Sequence, residues 1–151
     1  PKKTKIVAVV QGEDKIKAHL CASLIRDLGY DKLCISYGAD WYGDTPLNKA
    51  LGRINFVKEL LEDKKYKDTK FHLLGCAVPQ EFGWYRNESQ IESIDTSNPI
   101  MAALEGISYT KSGLMEKPKA NMNTHFNIQP KEIDYSLILK NVIRFKTING
   151  L

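Results

Sequence analysis

The apolar positions change period along the chain, and the changes mark its elements. Residues 5–10 are nearly all β-branched and stop at Gln11-Gly12. The run is too short for a helix and apolar on both faces, as expected of a strand in a parallel sheet. Over residues 14–28 the apolar side chains recur at helical spacing, at Ile16, Leu20, Leu24 and Leu28. This predicts a helix with that stripe against the core and Gly29 as its C-terminal cap. Residues 32–36 form a second predicted strand, closed by Tyr37-Gly38-Ala39-Asp40. Beyond a turn-rich loop, Pro46 suits the first position of a long helix. That helix carries Leu47, Leu51, Ile54, Val57, Leu60 and Leu61 on one side and ends in a charged run, 62–65, read as a solvated face.

Residues 70–74 and 91–95 supply the third and fourth strands, with a short helix over 79–85 between them and another over 99–104. Four strand–helix units in one direction predict an α/β fold with a parallel sheet. The period is lost over residues 108–131, a polar stretch holding Pro118 and Pro130. It is longer than a typical connection, so it reads as a functional loop or a wrapping arm. Residues 133–148 close the chain as an amphipathic helix, with Leu137, Ile138, Val142, Ile143 and Phe145 on its predicted buried side. One domain is expected across 1–151: four βα units in 1–107, an irregular arm in 108–132 and a C-terminal helix in 133–149.

Charge and cysteine usage narrow the class only slightly. The net charge of +4 admits a nucleic-acid partner without specifying one. Cys21, Cys34 and Cys76 are odd in number and lack zinc-knuckle spacing, so neither a disulfide framework nor a structural metal is expected. His19, His72 and His125 have no metal-spaced partners, and His72 reads as a core histidine. No phosphate-binding glycine loop, serine elbow or zinc-binding helix motif is present, and no cofactor is expected. No apolar run reaches membrane-spanning length, and residues 1–5 lead straight into a strand rather than a signal peptide. The expected compartment is the cytoplasm, with no membrane association.

Gln11, Gly38, Gly75 and Asp95 each fall at the C-terminal end of a different strand. In a parallel sheet these ends surround one mouth, where ligands bind. An amide, bare backbone and a carboxylate suit a planar heterocycle with a donor–acceptor edge. Each position also has a structural reading. Gly12, Gly38 and Gly75 serve as turn glycines, Gln11 as a loop amide, and Asp95-Thr-Ser-Asn-Pro99 as an Asx turn or a cap, with Ser97 or Asn98 capping a helix that Pro99 enters. On spacing alone the cap is favoured for Asp95. Trp84-Tyr85-Arg86 offers a stacking surface for a nucleobase, although packing over the sheet is the commoner use of such a cluster.

A family resemblance shifts that balance. Val10-Gln-Gly12, followed by a helix and a glycine-ended strand, resembles the later half of the tRNA-guanine transglycosylase family. Phe71-His-Leu-Leu-Gly75 is similar to that family's Leu-Met-Gly-type strand, and Ile94-Asp-Thr-Ser-Asn-Pro99 falls at its Phe-Asp-containing strand end. The match covers about residues 4–110. The ending, with Asn123-Thr-His-Phe126 and a final helix, resembles phage and bacterial relatives that insert 7-deazaguanines into DNA.

The resemblance implies a partial (β/α) barrel, half of a TIM barrel, of about four parallel βα units plus a C-terminal helix. It implies exchange of guanine for a 7-deazaguanine base in DNA or tRNA through a covalent aspartyl-glycosyl intermediate. Asp95 would be the nucleophile and Gln11 the reader of the base edge. Gly12, Gly38, Leu74 and Gly75 would supply the walls and amides of the base pocket. A carboxylate suits this role because it can trap an oxocarbenium-like centre.

Two features depart from the family. Its second aspartate, which acts on the base from an earlier strand, has no counterpart here, and its cysteine-rich zinc site is absent. A full barrel takes about 250 residues, so a homodimer or a complementary N-terminal half is expected as partner. The alternatives are a non-catalytic nucleobase- or nucleic-acid-binding protein of the same origin, or a small doubly wound nucleotide-binding domain. Strand order separates the last from the others.

Overall fold

The computed structural model of the protein describes residues 6–119, 122–125 and 127–151. Strands β1 (Ala8–Val10), β2 (Lys32–Ser36), β3 (Lys70–Leu74) and β4 (Ile91–Asp95) form one parallel sheet in the order β1-β2-β3-β4. The helices are α1 (Lys15–Asp27), α2 (Pro46–Glu62), α3 (Asn98–Leu104), the single turn α4 (Met122–His125) and α5 (Tyr135–Asn149). Pro79–Tyr85, between β3 and β4, is a 3₁₀ helix rather than an α-helix. Strands that neighbour one another in chain order are the arrangement of consecutive barrel units. A doubly wound sheet would send one strand across to the far edge.

Side-chain parity explains the layering. Leu33 and Ile35 pair in register with Phe71 and Leu73, and all four are buried in one core with Ile54, Val57 and Leu60 of α2, Ala102 of α3 and Phe145 of α5. The helices therefore cover one face of the sheet. On the other face Val9 is exposed while His72, Leu74 and Ser93 are half-buried. That face is the one a closed barrel would turn inward.

The ends of the elements follow from local chemistry. Asp14 caps α1 by accepting from Lys17 N at 2.7 Å, and Thr45 caps α2 by accepting from Asn48 N at 3.2 Å, with Pro46 in the first turn. Asp134 caps α5 through Leu137 N at 2.9 Å.

The faces of the helices differ from expectation. Ile16, Leu20, Leu24 and Leu28 do not face the core; they are 54–81% exposed, and Ala18 and Ala22 pack inward instead. The cause is a close approach, since a Cβ on Gly12 would lie 2.4 Å from Ala18 N. Only small side chains fit between α1 and β1. In α2, Leu47 and Leu51 point outward and Ala50, Arg53 and Phe56 take their place. In α5, Ile143 is exposed, and Asn141, Phe145 and Asn149 are the buried residues. β1 is also shorter than expected. Ile6 and Val7 are exposed and outside the strand, and residues 1–5 lie outside the described ones.

Asn141 and Asn149 are buried because they bind irregular backbone. Asn141 accepts from Tyr109 N at 2.9 Å and donates to Ile107 O at 2.8 Å, fixing the start of the arm to α5. Asn149 donates to Pro79 O at 2.9 Å. Gln80 donates to Leu114 O at 2.8 Å and accepts from Leu114 N at 3.2 Å, clamping the arm to the 3₁₀ helix. The arm is thus a wrapping segment, held by side chains rather than by regular pairing. Phe126 of the Asn123–Phe126 stretch lies outside the described residues. Among the described residues, no helix is long and apolar enough to cross a membrane.

Arg53 is the one fully buried cation among the described residues. Its Nε donates to Glu81 Oε1 at 2.5 Å, Nη1 to Leu74 O at 2.9 Å and Ile35 O at 3.3 Å, and Nη2 to Gly75 O at 2.8 Å. Burial pushes the Glu81 carboxyl above the ordinary carboxylate range, and the guanidinium opposes that shift. Removing one partner strands the other without water. Arg53→Met or Glu81→Leu is therefore expected to cost about 3–5 kcal/mol in urea unfolding. A loss below about 1 kcal/mol, typical of an exposed pair, would show that the pair does not hold the strand ends.

Candidate functional site at the strand ends

Asp95 is the last residue of β4, and the turn into α3 decides its role. Thr96 Oγ1 accepts from Asn98 N at 3.1 Å, closing that turn, and Ser97 stands at the cap position without a side-chain capping bond. Asp95 therefore does not cap the helix, and the cap reading is corrected. Its Oδ1 instead crosses to β3 and accepts from Gly75 N at 2.7 Å. Its Oδ2 lies 3.6 Å from His72 Nε2, and His72 Nδ1 is 2.8 Å from Ser93 Oγ. The Asp95 side chain is 59% exposed. His72 is thus part of a polar group on the open face, not a core histidine.

Gly75 is the pivot of this arrangement. Its φ of +61° is left-handed, and a Cβ there would lie 2.5 Å from the Tyr37 ring. Its carbonyl is held by Arg53 and its N–H by Asp95. Leu74 pairs with Asp95 in register, so the two share the open face.

The six sequence candidates do not converge in one pocket. Asp95, Leu74 and Gly75 form one group, and Gly75 borders a cavity of about 260 Å³. Gln11, Gly12 and Gly38 line a separate cavity of about 160 Å³ at the ends of β1 and β2. Gln11 follows the last residue of β1, three strands from Asp95, or roughly 14 Å along the sheet at about 4.8 Å per strand. Its side-chain amide has no hydrogen-bond partner among the described residues, whereas its backbone N donates to Cys21 Sγ at 3.4 Å. Gly12 is a packing glycine against α1, with its carbonyl accepting from Trp41 Nε1 at 3.2 Å. Gly38 is open, and a Cβ there would meet only Ser36 Oγ, at 3.6 Å.

The larger cavity brings in residues that the sequence did not mark as site candidates. Tyr37, Cys76, Ser97, Asn98 and Lys117 border it. Lys117, from the arm, bonds the Tyr37 hydroxyl and sits 4.3 Å over its ring centroid. Tyr37 was legible only as a loop residue before Gly38, and Lys117 lies where the period is lost.

Burial raises the Cys76 thiol to about 11, against the opposing effect of its 3.2 Å hydrogen bond with Thr96 Oγ1, and burial raises Cys34 as well. Both shifts disfavour the thiolate, the nucleophilic form of cysteine. Of Trp84-Tyr85-Arg86, Tyr85 is buried and Arg86 bonds the Ile148 and Asn149 carbonyls, while Trp84 stays exposed with the Lys58 ammonium 5.4 Å from its ring centroid. Among the described residues, no group of three or more His, Cys, Asp or Glu side chains is placed to hold a metal ion.

Comparison of the chain with protein-family models, with curated proteins and with solved structures finds no match in any of the three. The geometry of the strand ends therefore carries the functional reading. Iodoacetamide at mildly alkaline pH is expected to leave Cys34 and Cys76 unmodified in the folded protein and to alkylate both after denaturation. Half-exposed Cys21 is the internal control. Peptide mass mapping checks this, and native-state labelling of Cys76 would contradict its burial.

Proposed function

We propose that this chain is the nucleophile-bearing half of a guanine transglycosylase-type barrel acting on a guanine nucleoside in DNA or tRNA. The observation that carries the reading is the state of Asp95. One carboxylate oxygen is fixed by Gly75 N–H while the side chain stays exposed at the end of a strand. A helix cap would bind helical amides; this carboxylate is aimed across the mouth of the sheet.

In the proposed reaction Oδ2 bonds to C1′ as the C1′–N9 bond breaks, and the bonding pair leaves on guanine, which takes up a proton. The incoming 7-deazaguanine gives up its ring N–H proton and attacks C1′, and the Asp95 carboxylate departs. A purine nucleoside with a contact at either end spans roughly the width from Asp95 past Leu74 to Gln11. That supports Gln11 and Gly38 as readers of the base edge.

The four strands end in one carboxylate, Asp95, and no carboxylate borders either strand-end cavity among the described residues. The group that handles the base proton then comes from units that complete the barrel. The exposed stripe of Ile16, Leu20, Leu24 and Leu28 beside the free edge of β1 supports such a contact with a second copy or a complementary half. The same single carboxylate favours, as a second reading, a protein that binds nucleobases without turnover.

Asp95→Asn keeps the shape and removes the charge. It should fold normally and lose base exchange by about 10³-fold or more. The assay follows labelled guanine into single-stranded DNA or tRNA, with a denaturing gel for the covalent adduct, in the chain alone and with a complementary half. Exchange that persists in Asp95→Asn rejects the mechanism, and nucleic-acid binding without exchange in the completed wild type supports the second reading. Sedimentation at micromolar concentration should show a dimer or larger species that Leu20→Glu with Leu24→Glu returns to monomer. A monomeric wild type would reject the homodimer and leave a separate half as the only partner.

A further inference from the structure

We infer that the cavity beside Asp95, between the ends of β3 and β4 and the arm, is a subsite for one phosphodiester of the substrate strand. The inference rests on the nucleic-acid reading above. Its basis is a set of donors, two of them unpartnered among the described residues, with no acid bordering the cavity.

Asn98 is 4% exposed and borders the cavity, and its Oδ1 accepts from the Tyr109 hydroxyl. The Tyr109 hydroxyl reaches no other acceptor among the described residues, so it is the donor in this bond. That fixes the orientation of the Asn98 amide and leaves its NH₂ without an acceptor among the described residues. Nor is that NH₂ one of the sealed orphan atoms, which are Arg26 Nε, Thr69 Oγ1, Glu81 Oε2 and Asn149 Oδ1. It therefore opens on the cavity.

Two further donors join it. The Ser97 hydroxyl has no partner among the described residues, because it does not cap α3. Lys117 hydrogen-bonds the Tyr37 hydroxyl, lies over its ring and has no ion-paired carboxylate among those residues. Its charge reaches the cavity wall, where it opposes the rise of the Cys76 thiol.

Among the described residues, no carboxylate borders the space. A cation, an amide NH₂ and a hydroxyl with no competing acid select an anion with several acceptor oxygens. Gly75 borders the cavity and also binds Asp95, so an anion there lies next to the atom that would attack C1′. In a polynucleotide the group so close to C1′ is a backbone phosphate, which positions the strand without reading its sequence.

The test is fluorescence anisotropy of a labelled, guanine-containing single-stranded oligonucleotide, titrated against salt. Lys117→Gln is expected to reduce the slope of log K against log salt by about 0.7, one phosphate contact on a single strand. Asn98→Asp still accepts from Tyr109, so the fold is kept, as the urea midpoint checks. It replaces the free donor with a charged oxygen and should weaken binding by about tenfold. A single methylphosphonate linkage beside the guanosine should cause the same loss in the wild type and no further loss in Lys117→Gln.

Unchanged slope and affinity in both variants, with the urea midpoints preserved, overturn the subsite. Base exchange without this phosphate dependence also overturns the subsite and leaves the chemistry standing. Phosphate-dependent binding without exchange supports the subsite and rejects the chemistry.

Discussion

A guanidinium removed from water must find its hydrogen-bond acceptors inside the protein, and Arg53 finds them at the ends of two strands. Its three nitrogens reach Glu81 on the 3₁₀ helix, the carbonyls of Ile35 and Leu74 at the ends of β2 and β3, and the carbonyl of Gly75 just beyond. These carbonyls lie at or just past the last rungs of the sheet, where backbone acceptors need partners outside the ladder. One side chain on α2 thus extends the bonding of the sheet and sets the position of the loop after β3.

That position determines the chemistry of the open end. With its carbonyl pinned by Arg53 and its Cα against the Tyr37 ring, Gly75 directs its N–H toward β4, where Asp95 receives it. The chain from the buried Glu81 through Arg53 and Gly75 to the exposed Asp95 runs from core to surface. Its inner end stabilises the fold, and its outer end holds a carboxylate at the mouth of a sheet whose second face is only partly covered. Beside it the arm, tied down by Gln80 and Asn141, closes a cavity whose free groups are donors.

Much of the fold was legible because local chemistry determines it. Three of the strands run where short apolar or β-branched stretches end at turn residues, and α1 begins at Asp14 and stops before Gly29 as their capping chemistry requires. Which face of a helix turns inward was not legible. Ile16, Leu20, Leu24 and Leu28 repeat with the same period as Ala18, Ala22 and Ile25, and only the contact of Gly12 with Ala18 decides between large and small.

Arg53 was illegible because its acceptors are mostly backbone carbonyls, which leave no mark on the sequence. Asp95 was placed correctly at a strand end, yet its partner was missed. Thr96 closes the turn for which a capping aspartate was expected. The arm gave no period because it is held by single side-chain clamps, and Lys117 was hidden for the same reason.

The role of Asp95 is tested most directly by comparing two abasic oligonucleotides, one with a neutral tetrahydrofuran and one with a cationic pyrrolidine in place of the reacting sugar. The pyrrolidine carries its charge near the position where an oxocarbenium-like transition state develops it. A nucleophilic carboxylate held by Gly75 N–H should bind the cationic strand tighter by about 10²-fold, in the range of transition-state analogues, and Asp95→Asn should remove the difference. Equal affinity for the two strands, or a preference that survives Asp95→Asn, would contradict a carboxylate poised at C1′.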